Sequence, residues 1–277
     1  MPRKDGPGNI VPGASGQHSL PDVSTQFWAS DDYWDFAEHV HEAAKRGDGA
    51  SQYYLGLALN TCDFFYRYYF MEQRPGARPR IRTLDEAQQL TAFRQGSAYT
   101  PDDVRDLQSR CQRIMNTTPP PFGNAFEWQS AALASGYPLA QAGSAEFKAL
   151  QARNNLDSDK ARAARDEVRV LAVDALRTRD VEVVLALSST AAFLTDDASG
   201  LKRQWTWVMA AYLREPGNAS LAEWKKVHCA LADQCHPDDT MMDLIRRGAG
   251  NDFDEIERQA RELNEKIDAG TIDESDI

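Results

Sequence analysis

The 277-residue sequence predicts an all-α protein, built of antiparallel helical hairpins stacked as an irregular solenoid or bundle. Three observations predict it. Apolar residues recur at helical spacing through most of the chain. Capping residues open those stretches, and glycine or proline closes them. No run of alternating apolar and polar residues bounded by hairpin turns occurs. Hydrophobic residues make up 42% of the chain and charged residues 26%, which is enough apolar matter for a buried core.

Residues 1–26 are rich in glycine, proline and serine with almost no apolar periodicity, and they read as a flexible arm. Order is expected to begin near Trp28. Ser30 and Asp31 can cap a first helix in which Tyr33, Trp34, Phe36, Ala37, Val40 and Ala44 recur at helical spacing, with Gly47 as its stop. A second helix, dense in tyrosine and phenylalanine, is expected from Ala50 to Met71, and Pro75, Gly76 and Pro79 break it. Thr83 and Glu86 form a capping box for a short helix to Phe93. Thr100 and Pro101 open another, with Val104, Leu107, Cys111, Ile114 and Met115 on one face.

Residues 117–123 contain three consecutive prolines. A boundary is placed there, between an N-terminal helical domain (27–118) and a C-terminal one (119–277). Beyond it, helices are expected over 125–135, 139–152 and 158–178. The stretch from Val181 to Leu194 is apolar enough for a buried strand, but its length and the lack of a partner strand favour a buried helix. Further helices fit 201–213, 221–232 and 240–247. The last, 252–269, carries Phe253, Ile256, Ala260, Leu263 and Ile267 in one stripe that Gly270 ends.

Part of this pattern repeats. Ala43, Gly47 and Gln52 recur at the same spacings as Ala132, Gly136 and Gln141. Ala175 to Val184 is a third, weaker copy, with Arg179 in the glycine's place. Each copy is the end of an alanine-rich helix, a turn, and the start of the next helix. Small residues let antiparallel helices approach, and glycine supplies the positive φ that closes the first. Such a hairpin cannot bury its own apolar face, so hairpins stack. The stretch from Gly47 to Gly56, GDGASQYYLG, resembles the signature A-x-x-G-x-x-x-A-Q-x-x-L-G of the Sel-one-like type within the tetratricopeptide superfamily, and Gly123 to Gln141 is the second copy. The copies lie 89 and 43 residues apart rather than at a constant tandem period. The resemblance implies a stack of hairpins whose concave face holds a protein or peptide.

Cys62, Cys111, Cys229 and Cys235 are even in number and allow three pairings. Cys229 and Cys235 enclose five residues. A cysteine inside a helix end and another just past it can meet the ~4.4–6.8 Å Cα separation that a disulfide needs. A further likeness, to exported bacterial helical proteins that pair a mid-helix cysteine with one in a following helix, implies Cys62 with Cys111. Four reduced, buried cysteines are the alternative. Disulfides would place the protein in the periplasm or another exported compartment, with a signal segment removed ahead of the arm; reduced thiols would place it in the cytoplasm. The first residues carry no signal-peptide core, and no apolar run is long enough to span a membrane.

Little in the chain points to chemistry. His228, Cys229, Cys235 and His236 are zinc-donor types at a spacing unlike the familiar zinc pairs. His39 and His41 lie too far apart around a helix to face one ion. There is no nucleophile elbow, Walker loop or dinucleotide-binding turn. Asp196–Asp197 and Asp238–Asp239 fall at helix ends, where they read as caps. No catalytic residue, metal site or cofactor is therefore expected. A net charge of −11 disfavours nucleic acid and anionic membrane as partners. The expected function is a non-catalytic binding module for a protein or peptide. Tyr66, Tyr69, Trp205, Trp207, Tyr212 and Trp224 are its candidate contact residues, because tyrosine and tryptophan make contact hot spots and can equally pack a core. Two other readings stand beside it. One is an acidic immunity or inhibitor protein against a secreted toxin, whose charge would suit a basic partner. The other is an enzyme of unrecognised type, which would need a deep pocket with shifted titratable groups.

Overall fold

A computed structural model describes residues 20–69, 101–117, 119–154, 157–194, 199–231, 235 and 238–277. The chain is all-helical, with no strand among the described residues. The helices are α1 (Leu20–Ala29), α2 (Tyr33–Lys45), α3 (Gly49–Tyr69), α4 (Pro101–Asn116), α5 (Ala125–Ala134) and α6 (Pro138–Arg153). They continue as α7 (Ser158–Leu176), α8 (Val181–Phe193), α9 (Ser199–Arg214), α10 (Ala219–Leu231), α11 (Met241–Ala249) and α12 (Phe253–Ala269). The helix expected at 83–93 and the pair Asp196–Asp197 lie outside the described residues.

The apolar stretch that admitted either strand or helix is α8. Val183, Val184, Leu185, Leu187 and Ala191 are all buried, together with Ser188 and Thr190. A helix enclosed on nearly every side carries no stripe, which is why its period was unreadable.

Order also begins earlier than the composition predicts. The arm was expected to run to residue 26, but α1 starts at Leu20. A ten-residue helix is marginal on its own in water. Phe27 docks it, 2% exposed, stacked on Tyr33 at 5.2 Å and edge-on to Phe36 at 5.5 Å. Burying one such ring stabilises by about 2 kcal/mol. One buried ring, with Val23 and Trp28 only partly buried beside it, is too short a stripe for the sequence pattern to reveal. The cap of α2 also shifts, from Ser30 or Asp31 to Asp32, whose carboxylate accepts from the Trp34 amide at 2.8 Å.

The three repeated turns share one backbone device. Gly47, Gly136 and Arg179 all have positive φ, at 92°, 77° and 61°. In each, the helix closes on carbonyls of its last turn: Gly47 N to Ala44 O, Gly136 N to Leu133 O and Arg179 N to Leu176 O, at 2.9–3.0 Å. Ala44, Ala132 and Ala175 are fully buried beside these turns. Glycine is the natural residue there; Arg179 adopts the same φ at a cost of about 1 kcal/mol. The Arg214 guanidinium donates to the Arg179 carbonyl at 3.1 Å and so holds that turn from α9.

The other glycines of GDGASQYYLG work by size. A Cβ on Gly49 would lie 2.6 Å from Ser135 Oγ and 3.0 Å from Tyr137 Cβ. One on Gly56 would lie 3.1 Å from the Ala125 carbonyl. These two positions let α3 lie directly on α5 and the turn after it. From there α6 packs against both α7 and α8, α8 against α9, and α9 against α12. One continuous set of buried apolar side chains runs from Phe27 to Ile277 and spans the triproline connection through Phe122.

Two disulfides close the described cysteines. Cys62–Cys111 joins α3 to α4 at a Cα separation of 5.2 Å, and Cys229–Cys235 ties the end of α10 at 5.4 Å. Both are the expected pairings. With Cys229 and Cys235 in one bond, neither is a thiolate available to zinc.

Candidate protein-interaction site

Hairpin α5–α6 carries an inverted amphipathic pattern. Ala142, Ala145, Ala149 and Ala152 form the buried stripe of α6, which lies against α7 and α8. Ala161, Val168, Ala172 and Ala175, with Leu176 at the helix end, are the buried side chains α7 contributes. Small residues on both sides let the helix axes approach closely, so the core here is alanine. Apart from Leu139, buried at its start, the large apolar residues of α6 then fall on the opposite face: Phe147 is 61% exposed and Leu150 40%. Helix α5 does the same. Ala132 is its buried residue, whereas Phe126 is 74% exposed and Leu133 36%. Asn124 positions the first of these by accepting from the Phe126 amide at 2.8 Å. Among the described residues the large exposed apolar side chains are these four, Val170 and Leu201. The concentration of the four on two consecutive helices is what distinguishes them, since scattered single exposures are ordinary.

Beneath the hairpin lies a polar hub centred on Glu182, in the first turn of α8. Its Oε1 accepts from Ser24 Oγ at 2.5 Å and from Trp28 Nε1 at 3.3 Å, both on α1. Its Oε2 accepts from the Tyr54 hydroxyl on α3. Burial, and then the charge of Glu182, push the Tyr53, Tyr54 and Tyr137 phenols above their ordinary range. Burial also raises the Glu146 carboxyl, which bonds to Ser189. Through the bonds from Ser24, Trp28 and Tyr54, Glu182 joins three helices. Glu182→Ala is expected to lower the unfolding free energy by about 2 kcal/mol, because it strands three donors. Glu182→Gln keeps an acceptor and should lose clearly less. Urea denaturation of both compares them, and equal losses would show that the bonds to Glu182 do not carry the effect.

Of the six residues expected as partner contacts, the structure describes the side chains of four. Trp205 and Trp207 are each only 3% exposed and pack in the core. Tyr212 and Trp224 are partly buried against it. Trp205 and Trp224 do meet, with ring centroids 5.8 Å apart, and His228 stacks on Trp224 at 4.7 Å. The side chains of Tyr66 and Tyr69 lie outside the described ones. His39 is exposed, while His41 lies edge-on to Phe122 and Trp128, and partial burial lowers its pKa. Asp239 serves as a tie rather than a cap, accepting both Arg247 Nη atoms at 2.7 and 2.6 Å.

A shallow groove of about 450 Å³ runs between α9 and α12, lined by Leu213, Arg214, Arg261, Asn264, Glu265 and Asp268. Arg214 already donates to Asn264 and Asp268 inside the groove, and Arg261 to Glu257 beside it. No known protein-family profile, curated protein or solved structure matches the chain.

Proposed function

We propose that the protein is a non-catalytic binding module of the helical-repeat kind, related in design to the Sel-one-like type, which holds a protein or peptide partner on the α5–α6 face. The observation that carries this reading is the outward placement of Phe126, Leu133, Phe147 and Leu150 over an alanine core. Large apolar side chains on a water-facing stripe are unfavourable unless something covers them, and aromatic anchors dominate binding energy. The shared positive-φ turns at Gly47, Gly136 and Arg179 support the repeat design. The two disulfides support an exported, oxidising compartment, the periplasm in a bacterium. In this reading Trp205 and Trp207 stiffen the scaffold and do not touch the partner.

The test is site-directed photo-crosslinking in the native host. A crosslinker at Phe126 or Phe147 should capture one and the same protein, and a crosslinker at Glu257 on α12 should not. With the crosslinker moved to Leu133, Phe126→Ser with Phe147→Ser should abolish that product and leave the melting temperature within about 2 °C, because surface changes rarely move stability far. A double variant that still yields the product would remove the face from the proposal.

A further inference from the structure

We propose that Cys229–Cys235 is a redox-addressable clasp on α10. A dithiol reductant opens it while Cys62–Cys111 stays closed, and opening it releases α10 from the Trp205 ring. The two bonds differ in access. Cys62 and Cys111 are both fully buried between α3 and α4, so no thiolate can line up on their sulfurs without prior unfolding. Cys235 is partly exposed, while its partner Cys229 is 4% exposed. Attack therefore falls on the Cys235 sulfur.

In the first step the reductant thiolate bonds to Cys235 Sγ, the Cys229–Cys235 bond breaks, and Cys229 leaves as a thiolate that takes a proton from water. The second thiol of the reductant then displaces Cys235, also as a thiolate. The protein gains two thiols, and the reductant becomes a disulfide.

The surroundings explain why opening has a structural consequence. α10 makes only light contact with α8 and α11. It is held by Leu221, by the ring contacts of Trp224 and His228 on Trp205, by Lys225 reaching the Asp239 carbonyl, and by the disulfide at its end. Removing the covalent tie at its end raises the local opening equilibrium of α10, and its packing over Trp205 loosens. This device is separate from the α5–α6 face and stands whether or not that face binds a partner.

The experiment treats the intact full-length protein with graded dithiothreitol, quenches with iodoacetamide and maps the labelled cysteines by mass. Label on Cys229 and Cys235 at concentrations that leave Cys62 and Cys111 unlabelled is expected. Amide exchange in 224–231 should then rise at least about tenfold, with α7 unchanged, since local openings report local ties. Simultaneous labelling of all four, labelling of Cys62 and Cys111 first, or unchanged exchange in the two-thiol form would each overturn the proposal. Cys229→Ser with Cys235→Ser should reproduce the fast exchange without reductant; slow exchange in that folded variant would do the same.

Discussion

Replacing Cys62 and Cys111 together by alanine should lower the unfolding free energy by about 4 kcal/mol and the melting temperature by about 10 °C. The bond spans 49 residues of sequence, and cross-linking a loop of that size removes a large part of the unfolded chain's freedom. The native state adds to this. Both cysteines are fully buried, so alanine also leaves small voids between α3 and α4. The matching change at Cys229 and Cys235, six residues apart, should cost about 2 kcal/mol, because the closed loop is short. Calorimetry on both pairs checks the order. A larger loss at Cys229–Cys235 would mean that strain or residual structure, not loop length, sets these values.

Gly248→Ala should destabilise by about 3 kcal/mol, at the upper end of ordinary overpacking. Simple helix propensity points the other way, since alanine inside a helix is favoured over glycine by about 1 kcal/mol. The steric term wins because of what lies over Gly248. A Cβ built there falls inside the van der Waals envelope of Trp205 Cε2, Cζ2 and Nε1. The Trp205 ring has little room to move aside. It is 3% exposed, with Trp224 edge-on at 5.8 Å and His228 at 5.1 Å. Its Nε1 has no hydrogen-bond partner, so packing alone holds the ring. Trp205→Leu removes the obstacle, and in that background Gly248→Ala should lose at least about 1 kcal/mol less. Denaturant titration of the two single variants and the double closes the cycle. A neutral or stabilising Gly248→Ala would show that α11 slides freely over Trp205.

Trp205 and Trp207 show a choice that residue type alone does not make. Trp205 and Trp207 are large, amphipathic and close together, and those properties fit a hot spot and a core equally well. Phe147 and Leu150 lie in the helix expected over 139–152, and apolar character alone does not mark them as exposed. The signal was present: Ala142, Ala145, Ala149 and Ala152 form a stripe of their own, and the bulky residues fall off it. Beyond Leu139 at its start, α6 buries alanine and leaves its bulkier apolar residues outside. Reading apolar residues as one class hides this, since only their sizes separate the two faces. Glu182 was legible only as a charge near a helix start. Its donors Ser24 and Trp28 lie 158 and 154 residues away, and no local pattern reports a pairing at that distance.

By itself the sequence determined what depends on neighbouring residues. It set the helical period, the turns at Gly47 and Gly136, the stop at Gly270 and the short Cys229–Cys235 loop. Each is a local preference of φ, capping or spacing that operates before the chain is folded. The tertiary structure decided what depends on which surfaces meet: that α8 is enclosed, that Phe27 docks α1, that Glu182 gathers α1 and α3, and that Gly248 lies under Trp205. Those outcomes come from competition among apolar faces for a limited interior. The alanine stripes won that interior on α6 and α7 because small side chains pack two helices closer than large ones do. Phe126 and Phe147 were left facing water for the same reason.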